Sequence, residues 1–263
     1  DKNNILTKLK SYSLTGINQK IVDLQVLYVE VDSFIYYNSS QVANVNDLKS
    51  KIITSLTSYA KSSDLNRFGG RFKYSKVLNV IDNIDKSITS NITRVKIRRN
   101  LNALINQFAQ YELCFGNRFN VKPEGLNIKS TGFRIQGQSD TVFITDTPNA
   151  DKLTGVISIV KRDETTGTNI VVVKSAGTVD YVHGEVNLTT INIVSTDKPN
   201  NIVEVQAFPD SNDVIGLQDL YLEFNIPNST INMVKDTITS GEQISGVGYK
   251  VTSSYANGDL TRT

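Results

Sequence analysis

Side chains for catalysis or metal binding are scarce in this sequence: its 263 residues include one histidine, His183, and one cysteine, Cys114. A structural zinc site takes about four Cys or His ligands, and a catalytic one takes about three protein ligands. A calcium or magnesium site made of carboxylates stays open, although no EF-hand spacing occurs. The acidic cluster "DSND" at 210–213 follows Pro209 and is predicted to be a turn. We therefore predict no metal and no cofactor.

The single histidine and the single cysteine also limit nucleophilic catalysis. His183 precedes Gly184 between two alternating segments, a position typical of a hairpin turn. Cys114 lies in the apolar run "ELCF", where a free cysteine usually behaves as a small hydrophobic residue. A Cys-His dyad is left open but has no supporting motif, and no spacing selects a pair of carboxylates for glycoside hydrolysis. We predict that the protein is not an enzyme and has no small-molecule substrate.

A glycine pair, Gly69-Gly70, raises the question of a phosphate site. A P-loop needs Gly-x-x-x-x-Gly-Lys-Ser/Thr, and a dinucleotide site needs Gly-x-Gly-x-x-Gly. Neither pattern occurs here. The pair is predicted to allow a positive φ in a tight turn.

Basic residues alternate with apolar ones at Arg94, Lys96 and Arg98, and Arg99 follows. No aromatic residue interleaves with them, as a nucleic-acid stacking surface would require. The formal net charge of +2 gives no long-range field for attracting nucleic acid or anionic lipid. We predict a solvated strand face or a protein–protein contact, and no nucleic-acid partner.

Composition is that of a globular protein, with 39% hydrophobic and 21% charged residues. No run approaches the roughly eighteen apolar residues of a membrane span, so no membrane partner is predicted. The chain starts at Asp1 and has its one methionine at 233. We therefore expect a fragment or a processed product.

The first half of the chain alternates strand and helix patterns. Residues 27–32 have period two and predict a half-buried strand. Asn44 is predicted to cap a helix with Asp47 three residues later, and Ser75 is predicted to cap a second helix. A strand with one basic face follows at residues 93–98. The stretch 100–110 is ambiguous, because its apolar spacing fits a helix that tertiary contacts could override. The predicted unit is a small α/β sandwich with helices on one side of one sheet.

After residue 112 the sequence is rich in Thr, Val, Ile, Asn and Gly, and short alternating runs are separated by turn signals. Such spacing predicts a sandwich-like or barrel-like β-rich unit. The overall prediction is an α+β chain with four parts: a connecting segment at 1–23, the α/β sandwich at 24–112, the β-rich unit at 113–227 and an extended C-terminal docking segment at 228–263.

The C-terminal segment contains dispersed apolar residues between Ser, Thr and Gly, among them Met233, Tyr249 and Tyr255. They are too few for an independent core and too many for a linker. We expect the segment to dock on its own β-rich unit or on a neighbouring subunit. These three residues, with Arg94, Lys96 and Arg98, are the predicted interaction candidates.

Several blocks of sequence resemble the baseplate J-like family of wedge proteins in T-even-type contractile-tailed phages, in the C-terminal part of those proteins. The blocks are "VEVDSFIYYN", "FGGRFKYSKVLNVIDNIDKSITSNITRVKI", "GTVDYVHGEVNL" and "DVIGLQDLYLEFN". Together they span roughly residues 24–226. The family's glycine turn and capped helix correspond here to the structural-motif residues Gly69, Gly70, Ser75, Ile81, Asp82 and Ile84. One departure is Ser87-Ile88, where many relatives have Gly-Val.

The resemblance implies a structural role in the virion, in the tail baseplate, with assembly in the host cytoplasm. Members of the family form homodimers, contact other wedge proteins and link neighbouring wedges into a ring around the hub. That ring rearranges when the sheath contracts. No catalytic residue is implied. An alternative function is a β-rich binding module, such as an adhesin or a carbohydrate-binding domain.

Overall fold

The structure is a computed structural model that describes residues 2–13, 24–163 and 165–238. Helices in these ranges are α1 Lys2–Tyr12, α2 Val45–Ala60, α3 Tyr74–Asp82 and a 3-10 helix at Pro199–Asn201. The strands are β1 Val26–Tyr37, β2 Arg67–Phe68, β3 Arg71–Phe72, β4 Ile88–Asn102, β5 Phe108–Cys114, β6 Lys129–Ser130, β7 Phe133–Ile135, β8 Phe143–Pro148, β9 Thr154–Arg162, β10 Asn169–Asp180, β11 Glu185–Thr196, β12 Ile202–Ala207, β13 Val214–Ile215, β14 Tyr221–Phe224 and β15 Thr230–Lys235.

Thirteen of these strands form one hydrogen-bonded sheet in the order β2-β14-β1-β4-β12-β6-β8-β9-β10-β11-β5. Two more members lie off this path, β15 beside β1 and β7 beside β11, and β13 pairs with β3 in a separate two-stranded sheet. The predicted α+β, β-rich fold is confirmed. The alternating runs after residue 112 became strands because period-two alternation places one apolar row on the buried face.

Strands from late in the chain pair with strands from its beginning. One edge of β1 pairs with β4, and β14 and β15 share the other edge. The far edge of β4 pairs with β12, from Asn102 to Ile97. Hydrogen bonding therefore continues across the predicted boundary near residue 112. The division into two units near residue 112 stays a prediction. One sheet contains strands from before and after that position.

Helices α2 and α3 pack on one face of the β1–β4 pair. Asn44 caps α2 as predicted, and its side chain accepts a hydrogen bond from the backbone N–H of Asn46 at 3.0 Å. The spacing of α2 buries Leu48, Ile52, Leu56 and Ala60. They join one hydrophobic core with the inward residues of β1, whose side chains alternate between buried and more exposed.

Ser75 is not the cap of α3, which corrects the prediction for that residue. The helix begins at Tyr74 after Lys73, and Lys73 makes no side-chain capping bond. The backbone N–H of Tyr74 instead donates to Asp213 Oδ1 at 2.8 Å. A residue distant in sequence thus provides an acceptor at this helix start, which a local reading of the sequence cannot find.

The ambiguous stretch 100–110 contains no helix. β4 runs on to Asn102, a turn follows with Asn106 at a φ of 58°, and β5 begins at Phe108. Leu101 is buried, whereas Leu104 is 52% and Phe108 69% exposed. Strand pairing with β12 and β11 outweighs the helical spacing because it satisfies the backbone in the same sheet.

The two glycines of the pair occupy different conformations. Gly69 has a φ of 62°, in the region that favours glycine. Gly70 does not have a positive φ, and its carbonyl accepts a hydrogen bond from Gly216 N at 2.7 Å. A Cβ on Gly216 would lie 3.1 Å from Gly70 N. A side chain at Gly216 would therefore push the two backbones apart by a few tenths of an ångström.

The described beginning of the C-terminal segment is a strand of the sheet. β15 pairs in parallel with the second half of β1, and Ile231 is 5% exposed. Met233 lies opposite Ile35 and is half-buried. The other two candidates of this segment, Tyr249 and Tyr255, lie outside the described residues.

Candidate interaction surface

The side chains of β1 and β4 that point away from the helices form a surface that we call the outer face. It consists of Tyr28, Glu30, Asp32 and Phe34 on β1, and of Ile92, Arg94, Lys96 and Arg98 on β4. The antiparallel register places these residues opposite each other in the pairs Tyr28–Arg98, Glu30–Lys96, Asp32–Arg94 and Phe34–Ile92. The outer face thus has an acidic strand beside a basic strand.

Arg98 is buried at one end of the outer face, which corrects its assignment to a solvated basic strand. The residue is 5% exposed. Its Nε lies 2.5 Å from Glu30 Oε1, and its Nη1 lies 3.2 Å from Glu204 Oε1 on β12. Its guanidinium also lies over the ring of Tyr28, 4.1 Å from the centroid. Two carboxylates and one ring therefore hold this cation in place.

The same network extends onto β12. Gln206 Nε2 donates to Glu30 Oε2 at 3.1 Å, and Lys198 Nζ lies 3.2 Å from Glu204 Oε2. Glu30 is only 4% exposed, so these partners replace the hydrogen bonds to water that its carboxylate loses on burial. The network fixes three neighbouring strands to one another through side chains as well as through the backbone.

The other end of the outer face is open to solvent. Phe34 is 39% exposed and Ile92 is 53% exposed. Arg94 is exposed, and Lys96 and Asp32 are half-buried. Asp32 and Arg94 are cross-strand partners, yet within the described ranges no ion pair joins them at 4 Å or less. Two apolar side chains and two opposite charges are therefore accessible side by side.

The family-motif residues lie on the helix side of the sheet, opposite the outer face. Ile81 is fully buried in α3, and Ile84 is half-buried just after the helix. Asp82 is exposed and accepts a hydrogen bond from the side chain of Asn91 on β4. Gly69 and Gly70 form the β2–β3 connection. Their positions are those of a structural unit that packs α3 against β4.

His183 lies in the turn between β10 and β11, as predicted. Its Nδ1 lies 2.8 Å from Asp180 Oδ2, and its side chain is 70% exposed. The hydrogen bond to Asp180, and then the charge of that carboxylate, raise the pKa of His183. Cys114 is half-buried, and burial raises the pKa of its thiol. No hydrogen bond joins the two residues in the described part of the chain.

The acidic turn at 210–213 has a structural use. Asp213 accepts the bond from the start of α3, and Asp210 Oδ2 lies 3.4 Å from Arg118 Nε.

Across residues 2–13, 24–163 and 165–238, no group of three or more His, Cys, Asp or Glu side chains is placed to hold a metal ion. None of the helices in these ranges is long and apolar enough to cross a membrane.

Sequence reasoning did not single out Glu30 or Glu204, named Arg99 only as a member of the basic row, and named Asp213 only as part of an acidic turn. Alternation on β1 does place Glu30 on the polar face, but the pattern gives no sign that the carboxylate is buried. Glu204 and Asp213 act on residues more than a hundred positions away. No local signal could have paired them.

Comparison with known proteins identifies a family for part of the chain. Residues 25–100 match the family model described as baseplate structural protein gp6, C-terminal domain III. The matched range begins just before β1 and ends within β4, so it contains α2, α3 and both strands of the outer face. It is less than a third of the chain. A search of curated proteins finds no match. The family match supports a structural role in a phage baseplate, as a component of the virion tail.

Proposed function

We propose that the chain is a wedge component of a contractile-tail baseplate that forms homodimers and links neighbouring wedges into a ring around the hub. The ring rearranges when the sheath contracts. The observation that carries the proposal is the match of residues 25–100 to a baseplate structural domain. The sequence resemblance to baseplate J-like wedge proteins, whose blocks extend to about residue 226, favours the same role for the β-rich part.

In this proposal the protein acts by binding other proteins and not by catalysis, and its partners are a second copy and other wedge proteins. It is assembled into the baseplate in the host cytoplasm. The matched family is structural, which favours a non-enzymatic role.

The open end of the outer face is the surface that we propose for the dimer contact. Its acidic strand, β1, lies beside its basic strand, β4, so a twofold axis on this face would place Asp32 of each copy against Arg94 of the other. A twofold contact repeats every pair, so complementary charges count twice. The exposed side chains of Phe34 and Ile92 would supply the apolar centre that stable interfaces require.

Charge reversal tests the dimer contact. Sedimentation equilibrium of the unaltered chain at low micromolar concentration should give the mass of a dimer. Arg94→Glu should shift it toward the monomer, because each of two sites then has two facing carboxylates. The double variant Asp32→Arg with Arg94→Glu restores opposite charges and should restore the dimer. Circular dichroism should show the same β-rich spectrum for all three.

Arg134→Glu is the matched control, since it makes the same charge change at an exposed position on β7. A monomeric parent chain, or equal loss of dimer in the control and the Arg94 variant, would contradict the proposed contact. Adding candidate wedge proteins to the parent chain in the same experiment tests the wider proposal. No mass increase with any of them would count against a wedge role.

A further inference from the structure

A cavity of about 420 Å³ lies where the start of β1 meets the end of β4 and the end of β5. Its lining includes Gln25, Tyr28, Arg99, Asn102 and Glu112. The lining is mostly polar, in contrast to the apolar core that lies beyond it. It is separate from the open end of the outer face, because Phe34, Ile92 and Arg94 do not line it.

Arg99 is the buried cation of this cavity. The residue is 5% exposed. Its Nη2 donates to Gln25 Oε1 at 2.7 Å, and its Nη1 makes a long contact of 3.4 Å with the carbonyl of Val26. Its Nε is buried and has no hydrogen-bond partner. No carboxylate among the described residues forms an ion pair with it.

Arg98, the preceding residue on β4, is a buried arginine that does have carboxylate partners. Arg98 has about the same exposure and is held by Glu30 and Glu204. Arg99 has two neutral acceptors in place of two carboxylates. Burial lowers the pKa of Arg99, but a guanidinium stays charged in proteins at ordinary pH. The charge of Asp219 favours the cation, but no carboxylate of the described residues lies within 4 Å of it, and such burial is unfavourable unless a ligand supplies a direct partner.

The chemistry of the open positions selects the ligand. A guanidinium binds a carboxylate through charge-assisted N–H···O bonds, and the Nη hydrogens of Arg99 that Gln25 and Val26 leave free are its remaining donors toward the cavity. The exposed amide of Asn102 offers a donor and an acceptor suited to a peptide group. Glu112 is the acidic residue of the lining and is exposed, so solvent screens its repulsion of an incoming carboxylate.

We propose that this cavity is a binding site for the carboxylate of an Asp or Glu side chain presented by a neighbouring protein, with Arg99 as the anchoring residue. The proposal rests on the chain being an assembly protein. The ligand chemistry is tested separately from dimerisation, because Arg99 and Arg94 lie on opposite faces of β4. If carboxylate binding at Arg99 fails, the proposed dimer contact at Arg94 is unaffected. If the dimer contact fails, carboxylate binding at Arg99 can still be tested.

The probe is the blocked peptide acetyl-Gly-Glu-Gly-amide, and its matched control is the same peptide with Gln in place of Glu. The readout is the ¹⁵N–¹H signal of the Arg99 Nε–H in labelled protein, assigned by its loss in Arg99→Lys. At constant ionic strength, the Glu peptide should give a saturable shift of this signal and leave the Arg94 Nε–H unmoved. Arg99→Lys should weaken binding about tenfold, the effect of losing one charge-assisted hydrogen bond.

Arg99→Met provides a second readout that does not depend on the signal itself. Replacing an unpaired buried charge by an apolar side chain should keep the protein folded. The Glu peptide should raise the unfolding temperature of the parent chain and not that of Arg99→Met. Equal shifts with the Glu and Gln peptides, or no shift with either, would overturn the proposal.

Discussion

Three arginines of one strand have three different surroundings. Arg94 is exposed, Arg98 is buried between two carboxylates, and Arg99 is buried beside neutral acceptors. The sequence presents Arg94 and Arg98 as equivalent members of one alternating row. Arg98 differs because Glu30 on β1 and Glu204 on β12 form ion pairs with it, whereas no ion pair of Arg94 occurs among the described residues. The neighbouring strand therefore decides what each charge does.

Removing Arg98 should destabilise the protein far more than removing Arg94. Arg98→Ala leaves the buried Glu30 without its cation, and breaking a buried pair by removing one partner costs about 3–5 kcal/mol. Arg94→Ala at an exposed position should change the unfolding free energy by about 0.5 kcal/mol or less. Urea unfolding measures both, at protein concentrations too low for copies to associate. Equal effects of the two substitutions would show that the ion-pair network carries no net stability.

The His183–Asp180 pair makes a pH-dependent contribution. Since the pKa of His183 is raised in the folded protein, the stabilisation is full below the unfolded pKa of about 6.5 and is lost as pH rises through the folded pKa. Asp180→Asn keeps the Oδ1 acceptor for the backbone of Val182 and His183 but removes the charge. The pKa of His183 should fall in this variant. The chain has one histidine, so one NMR signal reports it.

Asp163→Asn is the control for that titration, because Asp163 accepts similar backbone bonds in another exposed turn. It should leave the pKa of His183 unchanged. If Asp180→Asn also leaves it unchanged, the hydrogen bond to Asp180 is not the cause of the raised value.

Among the elements, α3 is a helix whose N-terminus is capped by a residue distant in sequence. Its pattern of apolar residues predicts a helix, and the buried Val77 and Ile81 confirm that face. The bond to its first N–H comes from the turn before β13, through Asp213. A carboxylate at a helix N-terminus is favourable because it faces unpaired N–H groups and the positive end of the dipole. The position of that turn thus contributes to the stability of α3.

Asp213→Ala should lower the unfolding free energy by about 1 kcal/mol, the typical cost of a lost helix cap. Ser75→Ala should have a small effect, because Ser75 lies within the helix and does not cap it. Asp213→Asn should fall between the two, since it keeps the acceptor and loses the charge. Urea unfolding of the three variants ranks them. A larger loss from Ser75→Ala than from Asp213→Ala would contradict the capping arrangement.

For the whole molecule, the central feature is that later parts of the chain supply the strands that pair with β1. β1 is paired along both edges by strands that follow it by more than fifty residues, namely β4, β14 and β15. The part of the chain that matches the baseplate family therefore depends on partners from outside the matched range. Strand pairing of this kind costs chain entropy before contacts form, which makes folding slow but cooperative.

Truncation separates the described strand from the residues that follow it. Deleting residues 228–263 removes β15, including the buried Ile231, and should destabilise the protein by about 2–3 kcal/mol from that side chain alone. Deleting residues 239–263 leaves β15 in place, so the difference between the two variants measures the contribution of residues 228–238. Thermal and urea unfolding of the two variants give the comparison. Equal stability of both would show that β15 contributes little to the sheet.

The sequence by itself determined the elements whose signals are local. The alternation of β1, the cap and apolar spacing of α2, the strands after residue 112 and the turn at His183 are all encoded within a few neighbouring residues. Period and capping chemistry act over one or two turns of chain, so they can be read without a fold. The alternating outer face of β4 was visible for the same reason.

Only the tertiary structure decided which of those side chains are buried together. The stretch 100–110 became a strand and a turn because β12 and β11 pair with it. Arg98 forms an ion pair with Glu204, and the backbone N–H of Tyr74 donates to Asp213, whereas no carboxylate of the described residues pairs with Arg99. These partners are far apart in sequence and are brought together by the fold. Hydrogen bonds and charges respond to distance in space, and the sequence specifies that distance only through the completed fold.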